Sequence, residues 1–118
     1  MLGMGSLGNL ADLMRGAQEL QKKMAELEER LGGQTVEGRA GGDMVRVVAN
    51  GRSEVVGIEI DPSLTSAEDR EMLQELLVAA ANQALARARE LSQEEMRKVL
   101  GGLSLPPGML NLPGMAGG

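Results

Sequence analysis

Seven cations in two clusters are the residues of this 118-residue chain best able to do chemistry, and the chemistry open to them is holding anions. Arg15, Lys22 and Lys23 fall in one stretch of helical pattern, and Arg87, Arg89, Arg97 and Lys98 in another. Guanidinium and ammonium groups spaced along a helix can grip successive phosphates. The same groups also suit the C-terminal half of a helix with no ligand present, because the helix dipole favours positive charge there. The window 84–99 holds four positive and three negative charges, so a solvated helix face stands as the alternative to an anion site.

Catalysis has no comparable footing. The chain has no His and no Cys, which removes thiolate nucleophiles, disulfides, the common zinc sites and the usual general base near neutral pH. Its serines therefore lack a histidine partner, Glu94-Glu95 reads as an ordinary exposed helix pair, and no carboxylate cluster has calcium-loop spacing. Gly3, Gly5 and Gly8 match G-x-G-x-x-G, but a dinucleotide site needs a strand before it and the chain leaves no room for one. No catalytic residue, metal ligand or cofactor is expected.

The net charge of −5 argues on its face against nucleic acid. Most of the excess acid, however, sits at Glu68, Asp69, Glu71 and Glu75, where it opens an expected helix and complements its dipole. Phe, Tyr and Trp are all absent, which argues against single-strand binding by base stacking. The core must then come from Leu, Val, Ile, Met and Ala, which bury less area per side chain than aromatics do. A short chain built this way gains more than most from burying surface against a second copy. The N-terminus lacks the basic and long apolar regions of a signal peptide, and the longest apolar run, 76–81, is far too short to cross a membrane. The expected location is the cytoplasm, with no membrane partner.

The elements that must position these residues can be read in order. Residues 1–8 are expected to be a flexible leader, 9–100 the folded domain, and the uncharged, Gly- and Pro-rich 101–118 a tail. From Asn9, a candidate N-cap, Leu10, Leu13, Ala17, Leu20, Met24, Leu27 and Leu31 recur at alternating spacings of three and four, and Gly32-Gly33 closes the run. This heptad seam suits pairing with another helix, or an amphipathic helix lying on its own sheet. Gly16 within it implies a close helix approach or a weak first half.

Three strands follow, at 34–40, 43–49 and 53–61, joined through Gly41-Gly42 and Asn50-Gly51. Two-residue turns there would set Val36 opposite Val47, and Val45 opposite Val56. One face then collects Val36, Val45, Val47, Ala49, Val56, Ile58 and Ile60, and the other carries Glu37, Arg39, Arg46 and Glu59. After Asp61-Pro62, Ser66 with Asp69 resembles a capping box for a second helix over 67–100. Ser92 with Glu95 is a second such box and marks a possible break. Unbroken, that helix would extend about 50 Å, well past a compact globule of this length with its radius of gyration near ~13 Å. Asn82, among small side chains, is expected to be partly buried.

The fold class is therefore α+β: a helix, a three-stranded antiparallel meander and a long helix. Leu20, Met24 and Leu27 on the seam, Val45, Val47, Val56 and Ile58 on the sheet, and Leu76, Ala80 and Ala84 on the second helix are expected to form the core or to pair two copies.

In this order of elements, several segments resemble the YbaB/EbfC family of bacterial nucleoid-associated proteins. They are Met14-Arg15-Gly16-Ala17-Gln18-Glu19-Leu20-Gln21-Lys22-Lys23-Met24, Val55-Val56-Gly57-Ile58-Glu59-Ile60-Asp61-Pro62, the stretch from Glu71 to Ala84, and Gly101-Gly102-Leu103-Ser104-Leu105-Pro106-Pro107-Gly108. The resemblance implies a tweezer-like homodimer with paired sheets and projecting helices that binds double-stranded DNA and helps organise the nucleoid. By position it points to Arg15, Lys22, Lys23, Arg87, Arg89, Arg97 and Lys98 as the DNA-contacting residues. The alternative is a protein-interaction module, whose helix groove or apolar tail would engage a recombination or replication protein.

Overall fold

A computed structural model of the protein describes residues 2–102, with side chains from Asn9 onward. Helix α1 spans Leu2–Gly33, strands β1, β2 and β3 span Thr35–Ala40, Val45–Asn50 and Val55–Ile60, and helix α2 spans Arg70–Gly101. The expected α-β-β-β-α order is present. Helix α1 starts at Leu2 rather than Asn9, so from Leu2 onward the segment read as a leader is the helix's first turns. Gly3, Gly5 and Gly8 each cost about 1 kcal/mol relative to Ala there, but no Pro interrupts the hydrogen-bond ladder. Of the tail read at 101–118, Gly101 ends α2 and Gly102 caps it, and 103–118 lie outside the described residues.

The strands form one antiparallel sheet in the order β1-β2-β3. Both connections are longer than the two-residue turns that Gly41-Gly42 and Asn50-Gly51 suggest. Gly41, Gly42 and Asp43 all take positive φ in the first, which ends at Met44, and Val36 faces Ala49 instead of Val47. In the second, Asn50 N donates to Glu54 O at 2.9 Å and closes a three-residue loop whose last member, Ser53, is left-handed at φ 63°. Val45 therefore faces Ile60 rather than Val56. The shifts, two residues and four, are even, so each side chain keeps its expected face despite the changed register. The exception is a bulge beside Val48/Ala49, where Val55 comes opposite Ala49 and Gly57 opposite Val48, leaving Val56 the extra residue.

Asn50 explains why the longer loop wins. Its Oδ1 accepts from Arg52 N (3.0 Å) and Glu54 N (3.1 Å), and its Nδ2 donates to Glu54 Oε1 (2.8 Å) and Gly32 O (3.4 Å). A two-residue turn would forgo these bonds and leave a buried amide unpaired.

Helix α2 lies across β1 and β2, where Ala80, Ala84 and Ala88 bury completely against Val45, Val47 and Ala49. The approach is close because β1 carries Gly38 beneath it. A Cβ at Gly38 would lie 2.0 Å from Ala80 O and 2.5 Å from Ala84 N. Leu64, in the 3-10 turn Pro62–Leu64, plugs the core's end. Ser66 bonds Asp69 side chain to side chain at 2.8 Å, ahead of a 3-10 turn at Ala67–Asp69 that leads into α2. The helix then runs unbroken through Ser92 to Gly101. Asn82 is exposed, on the opposite side from Ala80, Ala84 and Ala88, contrary to the expected burial.

The two 32-residue helices are each about 48 Å long at 1.5 Å per residue, and the fold measures 80 × 24 × 17 Å. Helix α1 packs along α2 rather than on the sheet. Arg30 meets Glu95, and seven residues on along α2, Gly102 shares a groove with Lys23, seven residues back along α1. The pair is therefore antiparallel. Leu27 buries in this packing, Leu31 buries with its side chain also against Gly51 of the loop between β2 and β3, and Leu20 and Met24 half-bury, whereas Leu10, Leu13 and Ala17 of the same seam stand exposed.

Candidate nucleic-acid interface

Where α1 and α2 run side by side, Lys23, Arg30 and Lys98 border a groove of about 230 Å³, together with Glu26 and Glu95. Arg30 and Lys98 lie in the last turns of their helices, where the dipole favours a cation. Glu95, only 8% exposed, holds both: Lys98 Nζ donates to Oε1 and Arg30 Nη2 to Oε2, each at 3.3 Å. Desolvation pushes the Glu95 carboxyl up, but the hydrogen bond and charge of Lys98, then those of Arg30, outweigh it and hold the group below its ordinary value. The carboxylate thus stays ionised near neutral pH and fixes two half-exposed cations side by side. Arg30 was not among the residues singled out from the sequence. The signal was present, since it follows Lys23 by seven residues and so repeats its heptad position.

The other candidates fall into different settings. Lys22 and Arg97 are exposed next to Lys23 and Lys98 in the chain, and Arg89 is exposed on α2. Arg15 stands on the projecting part of α1, about 12 Å along the helix from Lys23, paired with Asp12 at 2.8 Å. Arg87 is occupied structurally: its Nη1 donates to Glu37 O at 2.6 Å and ties α2 to β1.

The remaining sheet cations are engaged within the fold. On the face away from α2, Arg46 bridges Glu37 (2.5 Å) and Glu59 (2.7 Å), and Arg39 bridges Glu37 (2.8 Å) and Asp43 (3.0 Å). Hydrogen bonds from Arg46, then Arg39, pull the Glu37 carboxyl down to about 2. The Arg52 guanidinium lies over Gly32 and donates from Nε to Glu28 O at 2.8 Å, tying the loop between β2 and β3 to the last turns of α1.

Of the residues expected in the core or between copies, Leu27, Val45, Val47, Ala80 and Ala84 are buried, and Leu20, Met24 and Leu76 half-buried. Ile58 is 53% exposed although it sits directly opposite buried Val47, and Val56 is 56% exposed. Helix α2 covers the β1–β2 part of this face and leaves its β3 part open.

Residues 4–103 match the model of the YbaB/EbfC DNA-binding family. The chain belongs to that family. A nucleoid-associated protein of Pelotomaculum thermopropionicum is 46% identical over 99 residues, covering 84% of this chain and 94% of that protein. One from Moorella thermoacetica is 47% identical over 100 residues, covering 85% and 96%. The crystal structure of an uncharacterized protein from Helicobacter pylori superposes with a TM-score of 0.64 at 31% identity, covering 86% of this chain and all of that one. The YbaB/EbfC match accounts for both helices and the sheet, and it ends where α2 ends. Among the described residues, no cluster of three or more His, Cys, Asp or Glu side chains could hold a metal, and no helix is long and apolar enough to cross a membrane.

Proposed function

We propose that the protein works as a homodimer that binds duplex DNA mainly through phosphate contacts and takes part in organising the nucleoid, as the names of its relatives suggest. The observation that carries this reading is the arrangement of Lys23, Arg30 and Lys98 at the end of the helix pair, with Lys22 and Arg97 adjacent. It sets five cations from two helices around one groove, interleaved with Glu26 and Glu95 and away from the acidic start of α2. Pairing two copies doubles the cluster. The open face at β3 offers a place for that pairing, since a second protomer there would cover Ile58. With no aromatic side chains to stack on bases, backbone phosphates are the natural ligand.

A mobility-shift titration with duplex DNA at a series of salt concentrations tests the reading. Affinity should fall linearly with salt on logarithmic axes, with a slope of about −0.9 per phosphate neutralised. Replacing Lys22, Lys23, Arg97 and Lys98 together by Ala should weaken binding and flatten that slope while leaving the circular dichroism spectrum unchanged. No shift at low salt, with the dimer verified by sedimentation, would rule the reading out.

A further inference from the structure

Helix α1 outruns the helix that covers it. Antiparallel α2, with the loop between β2 and β3 beside Leu31, shields the seam at Leu31, Leu27 and Met24, and α2 stops at Gly101–Gly102, level with Lys23. Beyond that level the seam continues as Leu20, half-buried, then Ala17, Leu13 and Leu10. Leu10 is 53% exposed, Leu13 68% and neighbouring Met14 57%, and among the described residues nothing lies over them. An apolar stripe this continuous, on a helix with charged flanks, has a missing cover.

We infer that the cover is the chain's own C-terminal segment, laid along α1 from Leu20 towards Leu10. Residues 103–118 leave α2 at the point where the bare stripe begins, and α2 already heads along the seam in that direction. Their reach is ample. Ten residues of α1 span about 15 Å, while the five residues 103–107 alone cover about 15 Å in the polyproline-type extension that Pro106-Pro107 favours. Their chemistry also fits. The segment carries no charge and supplies Leu103, Leu105, Met109, Leu110 and Leu112, side chains suited to an apolar stripe. Docked there, it extends the role of α2 and braces the part of α1 that carries Arg15. The inference does not depend on DNA binding.

The chain contains no cysteine, so introduced pairs report without background. The full-length variant Ala17→Cys with Leu105→Cys should form an intramolecular disulfide under mild oxidation, read by non-reducing electrophoresis and peptide mass mapping. A link between positions 17 of two chains would instead show that a second copy covers the stripe, and would overturn the inference. A link from position 17 of one chain to 105 of another, or no link at all, would overturn it equally. A second measurement uses the full chain with Leu105→Asp and Leu110→Asp. Amide hydrogen exchange over residues 10–20 should quicken about tenfold while that of β2 stays unchanged. Unchanged exchange in α1 would also sink the idea.

Discussion

Two glycines show how far a single residue's effect depends on what surrounds it. Gly38 lies in β1 directly under α2, and a Cβ there would drive into the main chain at Ala80 and Ala84, neither of which can rotate away. Gly16 lies on the exposed part of α1, and a Cβ there would meet nothing within 4 Å. The same change to Ala should therefore have opposite signs. Gly16→Ala should stabilise the protein by about 0.5–1 kcal/mol through helix propensity. Gly38→Ala should destabilise it by about 1–3 kcal/mol or more, as overpacking does. Urea denaturation of both variants measures the contrast, and equal effects would mean that α2 does not press on Gly38. The ion-pair ladder on the outer sheet face gives a second test at this scale. Glu37 is depressed to about 2, so its contribution to stability is fully present above its ordinary 4.5 and is lost as pH falls from there through about 2. Glu37→Gln should flatten the stability–pH profile in that window and leave it unchanged in shape near neutrality.

Elements were more legible in the sequence than the joints between them. The period-two pattern of β1–β3 assigned side chains to faces, and those assignments outlast register shifts of two and four residues because parity is all they need. Both loops are longer than their dipeptides indicate. Gly41-Gly42 and Asn50-Gly51 signal positive φ, but in the first loop Asp43 joins the two glycines there, and in the second Ser53 takes the left-handed conformation in place of Asn50 and Gly51, because Asn50 selects a longer loop with its own side chain. Gly38 gave no signal, since a glycine in a strand does not say which helix will cross it. The basic cluster was half legible. Lys23 and Lys98 were visible, but Glu95, which holds Lys98 beside Arg30, looked like any surface acid. Helix α2 presented a real ambiguity at Ser92, where local capping chemistry favoured a break. The structure resolves it towards continuity, because Ser92 is half-buried against α1 while Glu95 pairs with Arg30 instead of reaching back to cap. Ser92→Pro should cost about 3 kcal/mol by removing a helix bond and clashing with the preceding turn. It should also swing Lys98 away from Lys23. Denaturation melts would register the first effect and weakened DNA retention the second, whereas a Pro variant as stable as the parent would mean that α2 is two helices.

At the scale of the whole molecule, the core is unusually lean. Among the described residues, the buried apolar ones are four alanines, three leucines and two valines, and the chain has no aromatic to add. The radius of gyration is 21.4 Å, against about 13 Å for a compact domain of this size, so much of the chain projects beyond its own core. In the proposed homodimer, the place of pairing is set by which apolar surface adjoins the existing core. The β3 part of the sheet face qualifies, since Ile58 is the direct neighbour of fully buried Val47. Covering the half of Ile58 or Val56 that is still exposed contributes about 1 kcal/mol each, and symmetry counts each twice. Val56→Glu with Ile58→Glu should therefore convert the protein to monomers in sedimentation while its circular dichroism spectrum persists, because both positions are exposed in the isolated protomer. The same variant should bind DNA with about half the dependence on salt, since each phosphate lost to the contact removes its share of released counterions. A variant that stays dimeric would show that the copies pair somewhere other than the open β3 face. One that becomes monomeric yet keeps the parent's affinity and salt slope would show that a single basic cluster is sufficient, and that pairing serves the core alone.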